Sequence, residues 1–77
     1  MSAELSPRER EVLERAAFGR SNGQIAAELG VTVNTVKFHL ASIFRKLGVA
    51  NRTEATRYAY QQGLVRPYEE APFTPGS

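Results

Sequence analysis

Apolar residues recur along this chain at the spacing of three and four that marks one face of a helix, and nowhere in the strict alternation of a strand. Val12, Leu13, Ala16 and Ala17 form the first such set, Ile25, Ala26 and Leu29 the second. Val36, Leu40, Ile43 and Leu47 form the third and longest set, and Ala55, Tyr58 and Ala59 the fourth. Each set is preceded by a capping residue. Ser6-Pro7-Arg8-Glu9 pairs a capping hydroxyl with a proline at the first helical position and a glutamate three residues on, so a helix should begin at Pro7 and run until Gly19 ends it as a C-cap. Ser21-Asn22-Gly23-Gln24 repeats the box before a short helix that Gly30 stops. Thr32 caps a third helix, over about 33–47, that stops at Gly48. Asn51-Arg52-Thr53-Glu54 reads as another box, opening a helix that passes through Gln62 and stops at Gly63. The predicted fold class is all-α, a four-helix bundle over residues 1–66. Leu64 and Val65 are placed to fold back over the core, and residues 67–77, with three of the four prolines and no periodicity, read as a disordered tail.

Composition narrows the function classes. At 77 residues the chain is at most one domain, and it buries roughly 60% of its unfolded surface, which leaves little room for an enzyme cleft. It contains no Cys, no Asp and one His, so disulfides, thiolate or multi-His metal sites and aspartate phosphorylation are excluded. No cofactor and no enzymatic activity are expected, since no base and orienting partner can be paired. With no apolar run near the ~20 residues that span a bilayer and no signal-peptide core, no membrane is expected and a soluble cytoplasmic protein is.

The net charge of +2 is uninformative until it is divided along the chain. Residues 1–30 carry four arginines against five glutamates, a net −1, and residues 31–66 carry six cations against Glu54 alone, a net +5. Glu69 and Glu70 give the tail −2. Such asymmetry points to a polyanion, although a solvated basic face has the same charge.

The second and third helices, joined through Gly30-Val31-Thr32, have the spacing of a helix-turn-helix, whose second helix enters the major groove. Short turns of this kind also occur in bundles that never touch DNA. On the third helix Asn34, Lys37, Phe38, Ala41 and Arg45 lie away from the apolar stripe. Lys can donate to guanine, Asn can pair with adenine, and Phe or Ala can pack on a thymine methyl, which makes Asn34, Lys37, Phe38 and Ala41 the candidate base contacts. Ser21, Asn22, Thr32 and Thr35 can contact phosphate as well as cap. His39 can donate to a phosphate or sit half-buried on a neighbouring carbonyl. Arg45, Lys46 and Arg52 can grip the DNA backbone or serve the helix dipole.

Leu5-Ser6-Pro7-Arg8-Glu9-Arg10-Glu11-Val12-Leu13, Gly19-Arg20-Ser21-Asn22, Thr35-Val36-Lys37-Phe38-His39, Lys46-Leu47-Gly48-Val49 and Asn51-Arg52-Thr53-Glu54-Ala55 together resemble the LuxR/FixJ family, the GerE-type helix-turn-helix, over residues 5–65. The resemblance implies a DNA-binding domain of bacterial transcription regulators whose third helix reads double-stranded DNA and whose fourth helix pairs two domains. It maps base contacts onto Lys37, Phe38 and Ala41 with Asn34 beside them, and a homodimer face onto Thr56, Ala59 and Tyr60, although Ala55, Tyr58 and Ala59 serve equally well as core positions of a monomer. Relatives often hold a long polar residue where this chain has Ala41. Most also attach a sensor module, so this chain is expected to be either an excised effector domain or a single-domain regulator, the start at Met1 and the tail leaning slightly to the second. The rival class is a protein-interaction module in which Phe38, Tyr58 and Tyr60 dock a partner such as RNA polymerase.

Overall fold

In a computed structural model describing residues 4–65, the four capping signals become four helices: α1 (Pro7–Ala17), α2 (Asn22–Leu29), α3 (Val33–Leu47) and α4 (Arg52–Gln61). No strand occurs among the described residues, as the periodicity implies. The residues assigned to the tail lie outside them.

Ser6 and Ser21 form full capping boxes, each accepting from the backbone N–H three residues on and donating its own N–H back to Glu9 or Gln24. Thr32 caps α3 by accepting from Thr35 N–H at 3.1 Å. At α4 the expected box is shifted. Asn51 Oδ1 accepts from Glu54 N–H at 2.9 Å, but the Glu54 carboxylate accepts from Ala50 N–H, one residue before the cap. The first helix ends one residue earlier than expected: Phe18 is its C-cap, and Gly19, at φ 90°, turns the chain away.

The turn that aims α3 depends on Gly30. Its φ of 72° and ψ of 34° are left-handed, and the Val31 N–H then reaches back to the Ala26 carbonyl at 3.0 Å, closing the end of α2. Space is not the constraint there, because a Cβ at Gly30 would meet nothing within 4 Å. Gly30→Ala is therefore expected to cost about 1–2 kcal/mol through backbone strain alone. Gly23, inside α2 and without left-handed φ, is the control: a Cβ there meets only Ser21 Oγ at 3.9 Å, and Gly23→Ala should stabilise by about 0.4–1 kcal/mol. Urea unfolding of the two variants checks the opposite signs.

The core is Val12, Leu13 and Ala16 of α1, Ile25 and Ala26 of α2, Val36, Leu40 and Ile43 of α3, Ala55 and Ala59 of α4, and Val65. Val65 thus folds back as expected, with Leu64 packed beside it and the Leu64 carbonyl accepting from Arg10 Nη1 at 3.2 Å. Leu47, assigned to the α3 stripe, is only partly buried at its margin. α1 and α3 each pack against all three other helices, whereas α2 and α4 do not approach one another as a helix pair.

Candidate nucleic-acid interface

The orientation of α3 is fixed from both ends. Its start is set by the Gly30 turn, and its second half is held to α1 by a cluster around Glu9. The Glu9 side chain, only 8% exposed, accepts from Ser6 N–H at 2.9 Å, from Ser42 Oγ at 2.6 Å and from Lys46 Nζ at 2.8 Å. Burial pushes its carboxyl up. The hydrogen bonds from Lys46, Ser42 and Ser6, with the Lys46 charge, outweigh burial and hold the pKa at about 2 against an ordinary 4.5. Lys46 also donates to the Glu4 carbonyl at 3.3 Å. Its ammonium, expected on DNA phosphate, is engaged inside the domain, where it satisfies a nearly buried carboxylate.

With its inner face packed, α3 turns Asn34, Lys37, Phe38, Ala41 and Arg45 outward, and all five are exposed. Phe38 is 71% exposed, the largest value among the exposed large hydrophobics, and its ring meets that of half-buried His39 edge-on with centroids 6.2 Å apart. Lys37, Ala41 and Arg45 follow one another at every fourth position, a row of about 12 Å along the helix. Val33, also exposed, extends this surface at the start of α3.

The cations sort into two groups. Arg8 pairs with Glu11, and Arg15 and Arg20 share the two oxygens of Glu28, both at 2.9 Å. Arg10 and Lys46 are held as described, and Arg52 donates to the Arg20 carbonyl at 2.9 Å and to Asn22 Oδ1. Lys37, Arg45 and Arg57 are exposed, and their side chains have no ion pair or hydrogen bond among the described residues. All three lie in the basic segment.

The remaining expected phosphate contacts are placed as follows. Ser21 caps α2, and the Thr32 and Thr35 hydroxyls lie 3.0 Å apart at the start of α3. Asn22 and Arg52, both expected at phosphate, are hydrogen-bonded to each other. Of the expected dimer face, Thr56 and Tyr60 line a shallow groove on α4 with Thr53 and Arg57. Tyr60 also packs on the core and donates to the Ala17 carbonyl at 3.4 Å. Ala59 has to be moved: it is 0% exposed, a core residue whose methyl no partner can reach. The sequence reading assigned no site role to Glu9, Ser42 or Arg57. The cap signature at Glu9 hides its second role, and Arg57 enters the sequence pattern only through the segment charge.

Comparisons with known proteins agree with this architecture. Residues 3–59 match the family of bacterial regulatory proteins of the luxR type, GerE. The probable transcriptional regulatory protein NarL of Mycobacterium tuberculosis is 51% identical over 61 residues, which are 79% of this chain and 28% of that protein. The solved transcription factor GerE superposes with a TM-score of 0.76 at 29% identity, over 80% of this chain and 92% of that one. The Vibrio cholerae VqmA dimer, a LuxR-type receptor described in the absence of its target DNA, gives a TM-score of 0.80 at 27% identity, covering 88% of this chain and 32% of that one. The chain spans about a quarter of the length of curated relatives such as the activators EchR, EsaR and ExpR. Among the described residues no helix is long and apolar enough to cross a membrane. With four capped helices in this arrangement and a family match over most of its length, the chain belongs to the LuxR family of bacterial regulatory proteins, as a helix-turn-helix DNA-binding domain of its transcription regulators.

Proposed function

We propose that this domain reads double-stranded DNA by sequence, with α3 in the major groove, and binds as a homodimer to an inverted or direct repeat whose half-site centres lie about 10 bp apart. The observation that carries the reading is the outward face of α3. Lys37 and Arg45 stand there with no partner inside the described chain, beside exposed Asn34, Phe38 and Ala41. Phe38, 71% exposed on the same arc, adds weight to this reading, since an apolar ring there suits a thymine methyl. Asn34, Lys37, Phe38 and Ala41 face base edges in this reading. Ser21, Thr32, Thr35 and His39 flank them at the α2 and α3 starts and along α3, where hydroxyls, helix N-termini and an imidazole suit phosphate, and Arg45 reaches the backbone farther along. Thr56 and Tyr60 belong to the dimer face in this reading, and a LuxR-type structural neighbour described as a dimer supports the homodimeric state.

Selection from a random duplex pool supplies the preferred site, and titration against selected and scrambled duplexes at several salt concentrations tests the reading. The selected duplex should bind at least about tenfold more tightly, a difference of about 1.4 kcal/mol. Log affinity should fall linearly with log salt, by about 0.9 for each neutralised phosphate. Equal affinity for all duplexes, or binding indifferent to salt, overturns it.

A further inference from the structure

The side chain of Arg52 occupies an unusual position in the fold. It is the first residue of α4, yet its guanidinium donates across the molecule to the Arg20 carbonyl, just before α2, and to the side chain of Asn22, the first residue of α2. α2 and α4 do not otherwise approach as a helix pair. The acceptor end is itself anchored, because the Arg20 guanidinium is held by Glu28 of α2 at 2.9 Å. Arg52 also lines two grooves at once. One runs beside α3 and includes Lys37, Ala41 and Asn22. The other is the α4 groove that holds Thr56 and Tyr60.

We infer that Arg52 is a positioning residue that locks α4 to the first turn of α2, and so fixes the angle between the dimer helix and the reading helix. The inference rests on the two-half-site reading above. The chemistry requires arginine. A planar guanidinium serves two acceptors through separate N–H groups in a fixed fork, whereas a lysine ammonium at the same place keeps the charge but loses the fork. Arg52→Lys therefore separates a strut from a phosphate contact. If α4 is free to swing, each α3 still fits its own half-site, but two domains joined through α4 no longer hold their reading helices at a set distance.

The test uses the full chain with Arg52→Lys and, as a second variant, Asn22→Ala, which removes one acceptor and leaves the arginine. Affinity is measured for a duplex with one selected half-site, and for duplexes with two half-sites about 10 or about 15 bp apart. Amide hydrogen exchange of the free protein is followed at Gln24 and Ile25. For Arg52→Lys we expect single-half-site affinity within about twofold of wild type and an unchanged salt slope. The preference for the 10 bp spacing should drop at least about tenfold, and exchange at Gln24 and Ile25 should rise about tenfold while Val12 and Leu13 stay protected. Asn22→Ala should move spacing preference and exchange in the same direction by smaller factors. In Arg52→Gln, which removes the charge, a salt slope reduced by about 0.9 with weaker single-half-site binding makes Arg52 a phosphate contact and overturns the inference. So does a uniform rise in exchange that includes Val12 and Leu13, or wild-type spacing preference and exchange in either Arg52→Lys or Asn22→Ala. A wild-type protein without any spacing preference refutes the two-half-site reading instead, and the exchange comparison then decides the Arg52 bridge alone.

Discussion

Replacing Lys37 with alanine is expected to weaken binding to the preferred duplex by about 1–3 kcal/mol, roughly 5- to 150-fold, while leaving the stability of the domain within about 0.5 kcal/mol of wild type. Both halves of that expectation follow from how the side chain sits. Lys37 is exposed, lies on the outward arc of α3 and has no partner among the described residues, so removing it breaks nothing in the free protein. A base contact concentrates the loss at one base pair, and substituted duplexes then discriminate less at that pair alone. A phosphate contact weakens all duplexes alike. The chain's other lysine should behave in the opposite way. Lys46→Ala strands a nearly buried carboxylate, and its main effect should be read in unfolding. Duplex titration beside urea unfolding separates the two lysines, and a Lys37→Ala variant with unchanged affinity would remove the residue from the interface.

The second large effect is acid sensitivity centred on Glu9. Its carboxyl titrates at about 2 in the folded chain against 4.5 ordinarily, so folding favours the ionised form. The corresponding stabilisation, about 3 kcal/mol, is fully present above pH 4.5 and is lost as the pH falls towards 2. That is a large share of the net stability of a domain this small. Glu9→Gln should be less stable than wild type by about this amount at pH 7, and the two stability curves should converge on approaching pH 2. Curves that stay parallel down to pH 2 would show that the Ser42 and Lys46 contacts do not favour the ionised carboxyl.

The helices were legible because their boundaries are written in adjacent residues. Ser6, Ser21, Thr32 and Asn51 cap through atoms three positions away, and Gly30 and Gly48 end helices through their own left-handed dihedrals. Nothing beyond a few residues is needed to read such signals. The outward arc of α3 was legible for the same reason, since helical spacing alone separates Asn34, Lys37 and Phe38 from Val36 and Leu40. What escaped was every pairing between distant segments. Glu9 meets Ser42 and Lys46, 33 and 37 positions away, and Arg52 meets Asn22, 30 positions away. A local cap signature at Glu9 and a basic cluster at Lys46 and Arg52 gave each residue a sufficient but incomplete explanation. Ala59 was legible only as a choice between core and dimer face, and it lies in the core. α4 is short and mixes alanines with tyrosines, so its pattern does not say which side of Ala59 is covered until α1 and Val65 are in place.

The sorting of cations also bears on how the domain meets its target. Net charge describes a particle without direction, but here Arg8, Arg15 and Arg20 are ion-paired with glutamates of α1 and α2, and the free cations Lys37, Arg45 and Arg57 lie on α3 and α4. The result is an electric dipole rather than a uniform charge. Within a Debye length of a polyanion, a dipole experiences torque as well as attraction, so the approaching molecule is turned before it touches. Fewer collisions then arrive with the wrong side forward, and a modest +2 suffices for an oriented encounter.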